Sequence, residues 1–221
     1  MERTIRVTGK GTITIKPDTI QLNISSEGIC KQYADALEQA AQNTRLLRES
    51  ISQAGLDPNG LKTTDFSVDM AYERYQDRNS NWKKRFLGYK FSEELYLCFG
   101  NDNELLGKVL YYLSKCRADA EFSISYFVKD TEPDRVELLA AAVADSKKKA
   151  LILTEAAGVK LGEVENIDYS WQRLDVYTNK MRISKDESLA RFQGIGGSLD
   201  IDMEADDIHL EDTVTVIWRI S

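Results

Sequence analysis

The chain has 221 residues, 42% of them hydrophobic and 29% charged, which suits one large globular domain or two small ones. Its formal net charge of -7 argues against general nucleic-acid binding, which needs a basic face to displace counterions. No run of about 18 apolar residues is present, so no helix is expected to span a membrane.

Ile5, Val7, Ile13 and Ile15 share one parity, with Gly9 and Gly11 between them. A period of two predicts a strand with one buried face. Glycine has no Cβ, so Gly9 and Gly11 predict a bulge or the close approach of a packed element. Pro17-Asp18 marks a turn, after which Ile20, Leu22 and Ile24 alternate again. The two strands therefore read as an antiparallel hairpin. Between 29 and 54 the period becomes helical, through Ile29, Tyr33, Leu37, Ala40, Ala41, Leu47 and Ile51, and Gly55 is suited to end the helix. After the turn Asp57-Pro58-Asn59-Gly60, Phe66, Val68, Met70 and Tyr72 predict a strand. Leu87, Tyr89, Phe91, Leu95, Leu97 and Phe99 predict its return, which leaves the polar residues 73–85 as a hairpin loop.

A shorter helix near 102–116 carries Leu105, Leu106, Val109, Leu110 and Leu113 on one stripe, and Phe122, Ile124, Tyr126 and Val128 follow as a strand. Thr131-Glu132-Pro133-Asp134 reads as a capping box with Thr131 at the N-cap. The helix it opens runs to Ala157 and stops at Gly158, with Val136, Leu139, Ala140, Val143, Ala150 and Ala157 assigned to its inner stripe. Lys147, Lys148 and Lys149 fall on a solvated face, and Asp145 and Lys149 have i,i+4 spacing. Val164, Ile167, Tyr169 and Trp171 suggest a strand, residues 173–198 a polar arm, Leu199, Ile201 and Met203 another strand, and Val214, Val216, Trp218 and Ile220 the closing one. The order β-β-α-β-β-α-β-α-β-β-β has too few helices for a doubly wound fold. It predicts an α+β class, a largely antiparallel sheet packed on one side by long helices, as a single domain over 1–221.

Candidate chemistry is sparse. Cys30, Cys98 and Cys116 are odd in number and widely spaced, so they predict no disulfide framework and read as small buried hydrophobes. Cys30, near a helix start, is the one candidate for a reactive thiol. His209 is the sole histidine, which excludes HExxH and any zinc site with two histidines. Gly9-Lys10-Gly11 lacks the rest of a phosphate loop, and Gly194-Ile195-Gly196-Gly197 reads as a turn. Asp200, Asp202, Glu204, Asp206, Asp207, Glu211 and Asp212 form an acidic stretch without EF-hand spacing. Of Glu93 and Glu94, one is expected to face inward and the other outward, which leaves no convergent acid–base pair. Tyr72, Tyr75, Trp82, Lys83, Lys84 and Arg85 make an aromatic and basic hairpin tip, better suited to a self-assembly contact than to single-stranded nucleic acid.

Taken in order, several of these segments resemble the SIMPL-domain family. They are Val7-Thr8-Gly9-Lys10-Gly11 through Pro17-Asp18, Thr63-Thr64-Asp65-Phe66-Ser67-Val68 and Gly88-Tyr89, then Ala144-Asp145-Ser146-Lys147-Lys148-Lys149-Ala150 running into Ala156-Ala157-Gly158-Val159-Lys160-Leu161-Gly162. The resemblance covers about residues 4–220 and implies an α+β fold in which these motifs are structural. It also implies kinship with bacterial periplasmic immunogenic proteins and, for some members, ring-like or channel-like homo-oligomers. Many members carry a signal peptide; this sequence opens at the domain, so a cytoplasmic location is expected, with the periplasm or cell envelope as the family-based alternative.

The resulting expectation is a non-enzymatic homo-oligomer, a structural or stress-associated envelope-type assembly. No catalytic residue, no metal and no cofactor is assigned. Residues 73–85 and 173–198 are the expected contact elements, and an unidentified protein partner is allowed for. The alternative is a binding module for a signalling protein or small ligand, favoured by the polar arm.

Overall fold

The computed structural model describes residues 3–77, 80–169, 177–178, 181–183 and 203–221. In chain order the elements are β1 (Thr4–Ile15), β2 (Thr19–Cys30), α1 (Tyr33–Gln53), a 3-10 turn (Pro58–Gly60), β3 (Lys62–Gln76), β4 (Trp82–Gly100), α2 (Asn103–Ser114), β5 (Glu121–Phe127), α3 (Glu132–Ala156), β6 (Leu161–Asp168), β7 (Met181–Ile183) and β8 (Ile208–Ile220). The class is α+β. The strands sort into two sheets, ordered β1-β8-β6 and β3-β4-β2-β5-β7. The chain gathers into two compact units, where the sequence reads as one domain over 1–221. The first is Met1–Asp18, Phe127–Thr178 and Ala205–Ser221; the second is Thr19–Tyr126 and Asn179–Glu204.

The expected hairpin of the first two strands does not form. β1 pairs antiparallel with β8, from Thr4↔Arg219 to Ile15↔Ile208, whereas β2 pairs with β4, from Thr19↔Gly100 to Cys30↔Tyr89. Alternation reports which face of a strand is buried, not which strand lies beside it. A turn at Pro17-Asp18 says only that the chain changes course there.

In the first unit α3 lies on β1 and β8. Its buried residues are Arg135, Leu138, Ala142, Ser146, Ala150 and Thr154, and the last five follow one i,i+4 row. The inner stripe is therefore displaced from the expected one, and Val136 is 67% exposed. After Leu138 the row is built of small side chains, Ala142, Ser146 and Ala150, which suits the glycines of the opposing strand. A Cβ on Gly11 would lie 2.1 Å from the Leu138 carbonyl oxygen. Gly9 and Gly11 thus serve the close approach that their spacing predicts. Ser146 donates its hydroxyl to the Val7 carbonyl at 3.2 Å, and the Trp218 indole N–H points at the same hydroxyl at 3.5 Å. Val7, Val214, Val216 and Trp218 pack on Ala142 and Ala150, while Leu138 joins Val128, Ile208 and Leu210. The helix start differs from the expected capping box. Thr131 makes no side-chain cap bond, and Asp130 accepts the Glu132 N–H at 3.1 Å instead. Gly158, at φ +71°, ends the helix as expected.

In the second unit α1 packs on β2 and β4 and also touches β3 and α2. It begins at Tyr33 because β2 continues to Cys30. It buries Ala36, Ala40, Asn43, Leu47, Ser50 and Ile51, leaving Ile29, Tyr33 and Leu37 exposed. Gly55 follows it at φ +91°. Asp102 caps α2 by accepting the N–H groups of Glu104 and Leu105.

Residues 73–85 are largely strand rather than loop. The β3–β4 ladder continues through Glu73↔Arg85, Arg74↔Lys84, Tyr75↔Lys83 and Gln76↔Trp82. Both faces of this ribbon are solvated, so its sequence carries no apolar alternation. Within the expected arm 173–198, Tyr177 bridges Phe127 and stacks on its ring at 5.1 Å. Met181–Ile183 pairs with Phe122–Ile124 of β5. Trp171, Leu199, Ile201 and the rest of that arm lie outside the described residues, and Met203 is not in a strand.

Candidate functional site

β4 carries Glu93 in the same parity as Phe91 and Leu95, which turns its carboxylate inward beneath α1. The residue is 6% exposed. In the ladders it lies opposite Ser26 of β2 and Phe66 of β3. Thr44 of α1 donates its hydroxyl to Glu93 Oε2 at 2.7 Å, and Thr63 of β3 donates to Oε1 at 3.3 Å. Above the carboxylate opens a pocket of about 400 Å³, walled by Leu37, Ala41, Arg45 and Arg48 of α1 and by Phe66. Among the described residues Arg45 and Arg48 form no ion pair or hydrogen bond, and Glu93 meets no cation. Beside the pocket runs a neutral hydrogen-bond chain: Asn43 Nδ2 donates to Ser26 Oγ at 2.9 Å, and Ser26 Oγ donates to the Asp119 carbonyl at 2.8 Å.

Glu94 faces the other way and accepts the Ser25 hydroxyl at 2.7 Å. The two carboxylates therefore divide between the faces of the sheet, as alternation requires. Arg45, Arg48, Thr44 and Thr63 were not legible as site residues. One signal pointed to them: at 93 a glutamate interrupts an otherwise apolar parity that runs from 87 to 99.

The other candidates disperse. Cys116 is buried, but Cys98 is exposed and Cys30 only partly covered, so the reading of three buried thiols holds for one. The Cys30 thiol donates to Gln39 Oε1 at 2.9 Å. His209 is exposed and meets the Thr14 hydroxyl through Nδ1 at 2.9 Å. Of the acidic stretch, Asp200 and Asp202 lie outside the described residues, as do Gly194, Gly196 and Gly197. Glu211 pairs with Lys10 at 2.8 Å, while Asp212 turns inward and accepts the Tyr169 hydroxyl at 2.9 Å and the Thr213 N–H at 2.7 Å. Burial, followed by this bond to Asp212, pushes the Tyr169 hydroxyl above its ordinary pKa.

On the β3–β4 ribbon the expected basic tip is partly neutralised. Lys83 pairs with Asp77 at 2.9 Å, and Arg85 pairs with Glu73 while lying over the Tyr75 ring. Edge-on ring contacts run from Tyr72 to Phe86, from Phe86 to Tyr89 and from Tyr89 to Tyr33. Trp82 remains 70% exposed.

A family profile, SIMPL, described as a protein of unknown function (DUF541), matches residues 5–218. The chain belongs to the SIMPL family. Among curated proteins, this SIMPL chain is similar to the 26 kDa periplasmic immunogenic protein of Brucella melitensis biotype 1. The two are 27% identical over 165 residues, 74% of this chain and 65% of the relative. The protein of the same name from Brucella abortus strain S19 matches to the same extent. The chain thus spans slightly under two thirds of the length of these relatives. Among the described residues no helix is long and apolar enough to cross a membrane.

Proposed function

We propose that this SIMPL-family chain is a non-enzymatic protein that acts by self-association, as a structural or stress-associated assembly of the bacterial envelope. The observation that carries this reading is the β3 edge. Among the described residues β3 ends the five-stranded sheet, pairs with β4 on one side only, and exposes Phe66, Met70, Tyr72 and Tyr75 along its length. An unpaired strand edge with exposed apolar side chains is a template for a further strand, and aromatic residues are enriched at interfaces. A second copy of the chain offers the same edge and closes the contact symmetrically.

The non-enzymatic part is supported by the dispersal of the sequence's acid–base candidates. Glu93 and Glu94 face opposite sides of a sheet, and His209 sits beside Thr14. A periplasmic location, in place of the cytoplasmic one expected from the opening residues, is favoured by the name of the Brucella relatives.

Sedimentation velocity over a wide concentration range tests the assembly. Oligomers that persist to low micromolar concentration are expected; a single species of one-chain mass throughout would end the proposal. A second reading, a binding module for a small ligand or a signalling protein, is favoured by the charged pocket at Glu93.

A further inference from the structure

We propose that the pocket over Glu93 binds a small zwitterion, its cationic nitrogen seated on the Glu93 carboxylate and its anionic group held by Arg45 and Arg48. This ligand class deepens the second of the two functional readings and does not depend on assembly.

Three features converge. The carboxylate at the floor is 6% exposed, yet its partners are two neutral hydroxyls. A buried charge is ordinarily matched by an opposite one. Each oxygen of a carboxylate accepts more than one hydrogen bond, and Thr44 and Thr63 occupy one each, which leaves acceptor capacity for an ammonium or guanidinium group. On the wall, Arg45 and Arg48 stand three residues apart on α1 and therefore share a face. Both guanidinium groups are without a partner among the described residues, and their planar donor forks suit a carboxylate or phosphate. Leu37, Ala41 and Phe66 add apolar surface to the same pocket. A pocket of about 400 Å³ is within the range that holds small organic ligands.

The charge pattern discriminates among ligand classes. A simple anion at the arginines would leave Glu93 unmatched and would be repelled by it. A simple cation at Glu93 would face two arginines. A molecule with opposite charges at the two ends of a short aliphatic chain satisfies all three groups and covers the apolar wall.

The test titrates the full chain with glycine, γ-aminobutyrate and ε-aminocaproate, with butylamine and butyrate as single-charge controls, following the backbone amides of Thr44 and Thr63 by NMR. At least one of the zwitterions is expected to shift both amides and to bind about tenfold or more tighter than either control. Arg45→Ala combined with Arg48→Ala should lose about tenfold or more, and because both side chains lie on the exposed surface of α1 the fold is retained. Glu93→Gln should lose the zwitterion as well. No shift with any of the three zwitterions, equal binding of butyrate, or unchanged affinity in the arginine double variant would each overturn the proposal. Sedimentation of the same samples keeps this result separate from the assembly reading, because neither the pocket nor its variants touch the exposed side chains of the β3 ribbon beyond Phe66.

Discussion

A Cβ placed on Gly9 would lie 2.0 Å from the carbonyl oxygen of Ala142. The same Cβ would meet the Ser146 amide nitrogen at 2.5 Å, so what blocks it is helix backbone, not a side chain that can swing aside. Gly9→Ala must therefore push α3 off β1 along the row Leu138, Ala142, Ser146 and Ala150. A loss on the order of 3 kcal/mol is expected, at the upper end for overpacking a core. Urea denaturation followed by tryptophan fluorescence reads it, since Trp218 belongs to the same cluster. A change below about 1 kcal/mol would mean that the helix does not ride this close to the strand.

Asp145 joins the same helix to the same strand in another way. Its carboxylate accepts from Lys149 at 2.7 Å and from the Lys10 backbone N–H at 2.8 Å. These bonds, that to Lys149 first, hold its pKa below the ordinary value of 3.8. A carboxylate with a lowered folded-state pKa contributes stability above its unfolded value, and that stability is lost as pH falls through the folded one. Asp145→Asn should therefore flatten the decline in urea midpoint between about pH 5 and about pH 2 relative to the parent chain. Parallel declines in the two proteins would show that the bonds carry no net stability.

Tyr169 titrates in the opposite sense. Its raised pKa gives stability that is present below the unfolded value near 10 and is lost as pH rises through the folded value. Tyr169→Phe removes the titrating group and should reduce the alkaline loss. At neutral pH the same change leaves the buried Asp212 carboxylate with the Thr213 N–H but without the tyrosine hydroxyl, at a cost of about 1–2 kcal/mol. The two effects have opposite signs at the two ends of one pH series, so one thermal-denaturation profile from pH 7 upward checks both. A uniform offset at every pH would refute the titration.

Much of this architecture was legible because the apolar spacing of β1, β2, β4, β8, α1 and α2 reports burial directly. Strand partners were not legible. The pairing of β1 with β8 is chosen by residues about 200 positions away, and a local turn signal at Pro17-Asp18 carries none of that information. The inner face of α3 was missed because its row alternates small and polar residues, and hydrophobicity then points to Val136 and Leu139 instead. Gly9 and Gly11 held the missing clue, since a strand without side chains calls for a helix face with small ones. The pocket was missed for a related reason. Glu93 stands beside Glu94 in the sequence as an acidic pair, and only its position in an apolar parity marks it as the inward member. Arg45 and Arg48 look like any solvated helix face until β3 is laid beside them.

The β3 edge yields the last expectation. Met70 is 61% exposed and lies opposite Tyr89 in the ladder, beyond the part of β3 that α1 covers through Val68. Its side chain contributes little to the folded chain alone, so Met70→Lys should leave the thermal midpoint within a degree or two, as surface substitutions usually do. At an interface between copies the outcome differs, because a lysine on a strand edge opposes strand-to-strand pairing by its charge and its hydration. About a tenfold or larger weakening of self-association is expected in sedimentation velocity. A control, Lys62→Met, changes charge at the first residue of the same strand, so weakening specific to position 70 would place the contact farther along β3. Undiminished association in Met70→Lys would move the interface away from this edge and remove the observation on which the assembly proposal rests.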